Sequence, residues 1–418
     1  MNARLFTLTS DLHSETYEDV RREPFIQDVE AALGYSFDIA GNDFSSYGTH
    51  PCELIYVRTG GTEGLFKEIF CKDGGKPDIP EPVRLLTSGK SNSLAASMEI
   101  LSYLNIYGIK GEILHGSPGF IADRIASFKP CHPERSEGSD LTIPVSPGRI
   151  LEGCRLGVVG HPSDWLISSD VDYRLARSVL GVELIDISMQ ELLMEISGHS
   201  HPAVDIPALN TPKFGNPIPE QDLSIALDIY GALLHIIARH RLSGLTIRCF
   251  DLLGTVRNTG CMALALLNSQ GYTATCEGDI PAMISMAVAR KVCGQSGFQA
   301  NLSSIHDDKF LFAHCTVPLS MTRSWVYDTH FESGIGVAVH GELPPGPATI
   351  FKLAPDFKTA FIAKAKLECN CYEGKLCRTQ VILTAKGIAP YFLHNPIGNH
   401  HVILTGDYTK ALKKVLVS

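Results

Sequence analysis

The chain has 418 residues, of which 44% are hydrophobic and 19% are charged. This composition is typical of a globular protein, and the length predicts two or three domains, because one hydrophobic core rarely serves so many residues. The formal net charge of −9 at pH 7 argues against nucleic acid or an anionic membrane as the main partner.

The amino-terminal segment becomes acidic at Asp11, Glu15 and Glu18 before any apolar region has formed. It therefore lacks the apolar core of a secretory signal, and no later run approaches the roughly 18 apolar residues of a membrane span. Twelve cysteines in such a chain favour free thiols in a reducing compartment. We predict a cytoplasmic protein that does not enter a membrane.

Residues 1–150 alternate strand-like segments with a helix. The strand-like segments lie at 53–58, 83–87 and 112–115. Between the last two, leucine and methionine residues repeat at the spacing of an amphipathic helix. Such β-α-β alternation is typical of a mostly parallel sheet, so we predict a Rossmann-like domain. Residues 129–149 are polar and rich in turn formers, which predicts an exposed loop that ends in a linker.

A second segment with the same alternation covers residues 151–297. Its predicted strands lie at 155–160, 181–186, 245–251 and 272–277, and its predicted helices at 189–196, 222–240, 260–270 and 281–292. From residue 298 the pattern changes to strands and turns, with one closing helix at 407–416. The predicted fold is α/β, with two Rossmann-like doubly wound domains, at 1–150 and 151–297, before a β-rich C-terminal domain at 298–418.

Two glycine-rich turns, at 59–62 and 157–160, follow predicted strands. Neither has the GxGxxG spacing of a dinucleotide site or the Lys-Ser/Thr of a P-loop, which argues against a nicotinamide-dependent oxidoreductase. Both turns lie where the parallel strands of an open sheet end, which is where such sheets bind small molecules. A role in lining a small-molecule cleft therefore fits these turns better than nucleotide binding.

Two carboxylates follow the predicted strand at 272–277, just before a helix that Pro281 opens. We expect Asp279 to cap that helix, a position that aspartate favours. A cap does not explain Glu277, which follows an apolar strand, and a buried lone carboxylate is costly unless it is paired or bound to metal.

Two adjacent histidines, His400 and His401, open a predicted buried strand near the end of the chain. Neighbouring side chains in a strand point to opposite faces, so at most one of them can face a given metal ion. Imidazole is a common metal ligand, but a histidine at a strand start is also often a structural hydrogen-bonding residue.

Several of these motifs resemble the L-fucose isomerases and their relatives. The resemblance is clearest from about residue 150 to the end. The matching segments are Cys276-Glu277-Gly278-Asp279, Asn399-His400-His401-Val402-Ile403, Arg248-Cys249-Phe250-Asp251, Phe312-Ala313-His314-Cys315 and Cys377-Arg378-Thr379-Gln380. The resemblance implies a homo-oligomeric aldose–ketose isomerase that acts on a sugar, with its active site between subunits.

In this family a glutamate, an aspartate and a histidine hold a divalent metal, typically Mn²⁺. Glu277 and His400 fall at the glutamate and histidine positions, and Asn301 falls at the aspartate position. The resemblance also makes Arg248, Asp251 and His401 candidates for substrate binding.

Asn301 is a departure with chemical consequences. Isomerisation through an enediol needs a base at C2 and an acid that returns the proton at C1, and both metal-bound carboxylates of the family are placed for this transfer. An amide is neutral and cannot carry protons, so we expect weaker metal binding. The change could mean a different reaction, a different proton carrier such as His314, or loss of catalysis. His314 could equally be a histidine of the core. The alternative function is a catalytically silent relative that binds a sugar or serves as a regulatory subunit.

Overall fold

The computed structural model describes residues 2–11, 19–128, 141–204 and 217–417. Its first sheet consists of β1 (Arg4–Leu8), β2 (Asp38–Gly41), β3 (Glu53–Val57), β4 (Val83–Thr87) and β5 (Gly111–Leu114). Four helices accompany these strands: α1 (Pro24–Leu33), α2 (Glu63–Phe70), α3 (Ser93–Ile106) and α4 (Pro118–Ala126). The strands are parallel, in the order β2-β1-β3-β4-β5. Every residue of β3 is buried, as expected for a strand covered on both faces.

A short strand, β6 (Thr142–Pro144), follows this sheet. It pairs with residues 359–361 of a later strand. The prediction of an exposed loop over 129–149 is therefore wrong for these three residues, while 129–140 lie outside the described residues.

The second sheet is also parallel. It contains β7 (Arg155–Val159), β8 (Glu183–Ile187), β9 (Gly244–Ile247) and β10 (Thr273–Thr275), in the order β10-β9-β7-β8. Its helices are α5 (Tyr173–Leu180), α6 (Met189–Ile196), α7 (Glu220–His240), α8 (Asp251–Thr255), α9 (Cys261–Gln270) and α10 (Ile280–Cys293). The strand predicted at 245–251 ends early, at Ile247, because the chain turns there and enters α8.

The rest of the chain forms mainly antiparallel β-structure. Its strands are β11 (Phe298–His306), β12 (Lys309–His314), β13 (Ser324–Asp328), β14 (Ala338–Glu342), β15 (Gly346–Leu353), β16 (Thr359–Asn370), β17 (Thr379–Thr384) and β18 (His400–Thr405), with α11 (Ala389–His394) and α12 (Thr409–Leu416). The main sheet has the order β15-β18-β11-β12-β17-β16-β6, and β15 also pairs with β16, which closes it like a barrel. The mixed α/β class with a β-rich C-terminal part is thus confirmed.

Helix α3 connects the first sheet to this barrel-like sheet. It contacts β5 on one side and β11 on the other, and most of its residues are buried. Because α3 packs on both sheets, the loop before it reaches the same region as the barrel strands β11 and β18. The fold thereby brings distant segments of the sequence to one pocket.

Helix α7 is the one helix among the described residues that is long and apolar enough to cross a membrane by length and composition. Half of its most apolar 18-residue window is buried inside the fold. Burial of this kind is typical of a core helix and is consistent with a soluble protein.

Candidate metal and substrate site

A pocket lies where the ends of the parallel strands meet the barrel-like sheet. Its lining residues come from the helices and loops of the two parallel sheets and from the β-rich C-terminal part: Gly60, Gly61, Glu63, Asn92, Ala95, Ala96, Trp165, Phe250, Glu277, Asn301, Glu332 and Asn399. The turn at 59–62 contributes two glycines to this lining. Residues 157–159 belong to β7 and do not form the predicted turn, and the loop after that strand carries Trp165. All of these residues belong to one chain.

The turn between β10 and α10 presents Glu277 to the pocket. Glu277 has φ +66° and Gly278 has φ +72°, so two consecutive residues adopt the left-handed conformation. That conformation costs a non-glycine residue about 1–3 kcal/mol and is found where the surrounding structure enforces it. The Glu277 carbonyl accepts a 2.9 Å hydrogen bond from the Ser163 amide, which ties this turn to the loop at 161–165.

Position 278 favours glycine for two reasons: its φ is positive, and a Cβ there would clash with a neighbouring segment. A pair of variants separates these two effects. A Cβ at Gly278 would lie 2.5 Å from the His161 carbonyl oxygen, whereas one at Gly294 (φ +75°) would meet nothing within 4 Å. Gly294→Ala should therefore cost only the left-handed penalty of about 1–2 kcal/mol. Gly278→Ala should cost a further ~1–3 kcal/mol from the clash. Thermal unfolding of both variants checks this, and equal midpoints would show that the clash is absent.

The Glu277 carboxylate is the centre of the site. One oxygen, Oε2, accepts a 2.6 Å hydrogen bond from the Trp165 indole. The other, Oε1, lies 3.6 Å from His400 Nε2 and 3.7 Å from His314 Nε2. Burial would raise the pKa of Glu277, but the two imidazoles outweigh it and hold that pKa well below its usual range. The carboxylate is therefore an anion.

The two carboxylate oxygens of Asp279 have different partners. Oδ1 accepts a 2.6 Å hydrogen bond from the Ala282 amide, which confirms the predicted helix cap. Oδ2 lies 2.9 Å from His400 Nδ1 and 3.7 Å from the buried Lys352 Nζ. A carboxylate that accepts a hydrogen bond from one ring nitrogen orients the other nitrogen of a metal-binding histidine. Asp279 thus turns His400 Nε2 toward Glu277.

His400 and His401 face opposite sides of β18, as their spacing requires. His401 Nε2 lies 2.8 Å from the Tyr391 hydroxyl, and its ring packs against Phe361 and Phe392. Burial lowers the pKa of His401 to about 3, so the ring is neutral. The expectation that His401 binds substrate is therefore not met, because its side chain lies in an aromatic cluster outside the pocket lining.

Asn301 lies beside His400, because β11 and β18 pair these two residues. Its Oδ1 is buried and has no hydrogen-bond partner among the described residues, and the same holds for His400 Nε2. Buried polar atoms almost always have partners, so two orphans at one pocket need an explanation. The Asn301 oxygen can give a lone pair to a cation as it stands, and His400 Nε2 can do so once it has lost its proton.

His314, at the end of β12, is buried but is not a simple core residue. Its Nδ1 lies 3.0 Å from the Thr316 hydroxyl, while Nε2 faces Glu277. Ligand atoms of Cys276, Glu277 and His314 all lie within 4.8 Å of one another. This buried Cys/Glu/His group could hold a metal ion.

Arg248 and Asp251 lie beside the pocket and outside its lining. The Arg248 guanidinium donates to Asp164 at 2.6 Å, to Asp251 at 3.0 Å and to the Pro162 carbonyl at 2.7 Å. These bonds hold the loop that carries Trp165. The structure therefore gives both residues a supporting position in place of the expected substrate contact.

Glu63, Trp165 and Asn92 are among the pocket residues that sequence reasoning missed. Glu63 follows a glycine-rich turn at a strand end, which was a usable signal. A glutamate in the first turn of a helix is, however, an ordinary feature, because it interacts favourably with the helix dipole. Tertiary packing, and no local pattern, brings these residues to the pocket that Glu277 lines.

No protein-family model matches this chain, and no curated protein matches it at a significant level. The membership of the L-fucose isomerase family therefore stays a prediction.

Proposed function

We propose that the protein is a metal-dependent aldose–ketose isomerase of the L-fucose isomerase kind, acting on a small sugar through an enediol. One observation carries the proposal. Glu277 and Asn301 line one pocket, and the buried His400, which pairs with Asn301 across two strands, has its Nε2 3.6 Å from the Glu277 carboxylate. The two orphaned atoms fit a bound cation, which would satisfy both.

Glu277, Asn301 and His400 would hold the divalent cation, with His314 beside them. Mn²⁺ is the cation that the resemblance implies, and other divalent cations fit the same residues. When bound, such a cation polarises the carbonyl and hydroxyl oxygens of the sugar. Glu277 would act as the base that moves a proton between C2 and C1, because its carboxylate is ionised and lines the pocket.

The resemblance supports further features of this proposal. The two parallel sheets would be the Rossmann-like domains of the family, with boundaries near residues 150 and 297. A cytoplasmic homo-oligomer is expected, in which a neighbouring subunit would add to a pocket already lined by residues of one chain.

A catalytically silent sugar-binding relative is the second candidate, and Asn301 is the observation that favours it. An assay over common pentoses and 6-deoxyhexoses, with Mn²⁺ titrated by calorimetry, separates the two functions. The isomerase should convert at least one aldose to its ketose in a metal-dependent manner. Tight metal and sugar binding without conversion would favour the silent relative, and no metal binding would contradict both the site and the reaction.

Metal binding should release close to one proton from His400 at pH 7. Burial would lower the pKa of His400, but Glu277 and Asp279 outweigh it and raise this pKa to about 9. The free protein thus holds His400 protonated below pH 9, and a cation must displace that proton. Affinity should rise about tenfold per pH unit from 7 toward 9 and then level off. Calorimetry in buffers of different ionisation enthalpy measures the proton count, and a pH-independent affinity would exclude His400 as a ligand.

A further inference from the structure

Glu63 is a buried acid in the pocket that the site described so far does not use. It is the first residue of α2, directly after the glycine-rich turn at 59–62. Its side chain lines the pocket together with Glu277 and Asn301, yet only 2% of the residue is exposed.

The hydrogen bonds of Glu63 are incomplete. One oxygen of its carboxyl group, Oε2, is buried and has no hydrogen-bond partner within the described ranges. An unpartnered buried polar atom destabilises the fold, because it has lost the hydrogen bonds that water would give it. Glu332 also lines the pocket. It differs from Glu63 because its carboxylate accepts a 2.7 Å hydrogen bond from the Asn92 side chain. Glu63 therefore has a free oxygen for a ligand hydroxyl.

The surroundings of Glu63 favour its protonated form. Burial raises its pKa well above the usual range, and the negative charges of Glu99, on α3, and Glu277, on the β10–α10 turn, add to this. A neutral carboxylic acid is a poor cation ligand but a good proton donor. Glu63 and Glu277 both line the pocket, so a bound ligand could contact two carboxyl groups, the arrangement that paired acid–base catalysis uses.

We propose that Glu63 is the second proton-transferring residue of the isomerisation, acting on the sugar oxygens while Glu277 acts on the carbons. This inference rests on the proposed function. The amide of Asn301 cannot carry a proton. Glu63 would take over the proton transfer of the carboxylate that the family has at this position. His314 is a weaker candidate, since its free nitrogen faces Glu277 itself at 3.7 Å.

The proton transfers balance over the whole reaction. Glu277 removes the proton from C2, the C1=O bond becomes C1–OH with the proton of Glu63, and a C1=C2 enediol forms. Glu277 then returns its proton to C1, while the Glu63 carboxylate takes the proton of the O2 hydroxyl as the C2=O bond forms. The ketose leaves with Glu63 again protonated and Glu277 again ionised.

Glu63→Gln tests this role, because glutamine can donate a hydrogen bond to an enediolate oxygen but cannot transfer its proton. We expect conversion of the aldose to fall about 10²–10⁴-fold, with the affinity for Mn²⁺ unchanged within a factor of about three. In D₂O, Glu277 should still exchange the C2 hydrogen of the aldose for deuterium from the solvent. The ratio of this exchange to conversion into the ketose should therefore rise at least tenfold. A residue that only supports the fold would lower both together.

Glu63→Asp and Glu68→Gln complete the experiment. The aspartate variant keeps an acid and should recover part of the lost conversion, and it serves as the test if the glutamine variant does not fold. Glu68 is an exposed residue of the same helix, and its glutamine variant should behave as the parent. Conversion by Glu63→Gln at the parental rate would overturn the role of Glu63 while leaving the isomerase intact. A parent protein that converts no aldose would instead refute the proposed function, and this inference with it.

Discussion

Glu277→Gln should abolish isomerisation and metal binding together. When His400 is neutral, Glu277 is the only charged residue among the three proposed ligands, and the substitution removes that charge. The new amide also cannot act as the base. We expect turnover to fall about 10³-fold or more, since a general base and a charged ligand are lost at once. Affinity for Mn²⁺ should fall more than the 10–100-fold that is typical for loss of a supporting hydrogen bond to a metal ligand.

Trp165→Phe provides the matched control for this prediction. It removes the 2.6 Å hydrogen bond to Glu277 Oε2 but keeps the carboxylate. Its metal affinity and turnover should lie between those of the parent and Glu277→Gln. Parental metal affinity in Glu277→Gln, measured by calorimetry, would show that the site does not use this residue.

Asn301→Asp should tighten Mn²⁺ binding by about tenfold or more. It adds a carboxylate beside His400, and an ionised oxygen suits a hard cation better than an amide oxygen does. If the protein is an isomerase, turnover should also rise, because a second carboxylate returns to the cleft. If it is a silent relative, binding should tighten without turnover.

The same variant should also become dependent on metal for its stability. Asn301 is buried, and an extra buried anion is costly unless a cation compensates it. Its thermal midpoint should therefore fall in the presence of a chelator and recover with Mn²⁺. Asn42→Asp, at an exposed position, makes the same charge change outside the site and should show neither effect. Unchanged Mn²⁺ affinity in Asn301→Asp would mean that residue 301 is not a ligand position.

Much of the fold could be predicted because the local signals agree with the tertiary structure. The buried strand β3 and the helices α6 and α10 lie within a few residues of their predicted bounds, since aliphatic runs and a Pro/Asp helix start act locally. The early end of β9 could not be predicted, because Cys249 and Phe250 are as apolar as the strand before them. The turn there depends on Arg248, which contacts Asp164, a residue far away in the sequence.

Features of the site could be predicted only where the position of a residue within one strand or helix determines the direction of its side chain. The opposite directions of His400 and His401 follow from strand alternation, but which of them faces the pocket depends on Asp279, 121 positions away. Glu63 and Glu277 reach the lining of one pocket only through tertiary packing. No pattern in either segment indicates this proximity, so sequence reasoning had no means of joining them.

The hydrogen bond between Trp165 and Glu277 has a practical consequence for spectroscopy. The chain contains two tryptophans, and the other, Trp325, lies on β13 next to Tyr327. Replacing Trp325 with phenylalanine would leave one indole, whose N–H contacts the carboxylate that a cation would bind. Fluorescence emission from that indole would then follow occupancy of the pocket directly, in a stopped-flow experiment as well as at equilibrium, without an added dye.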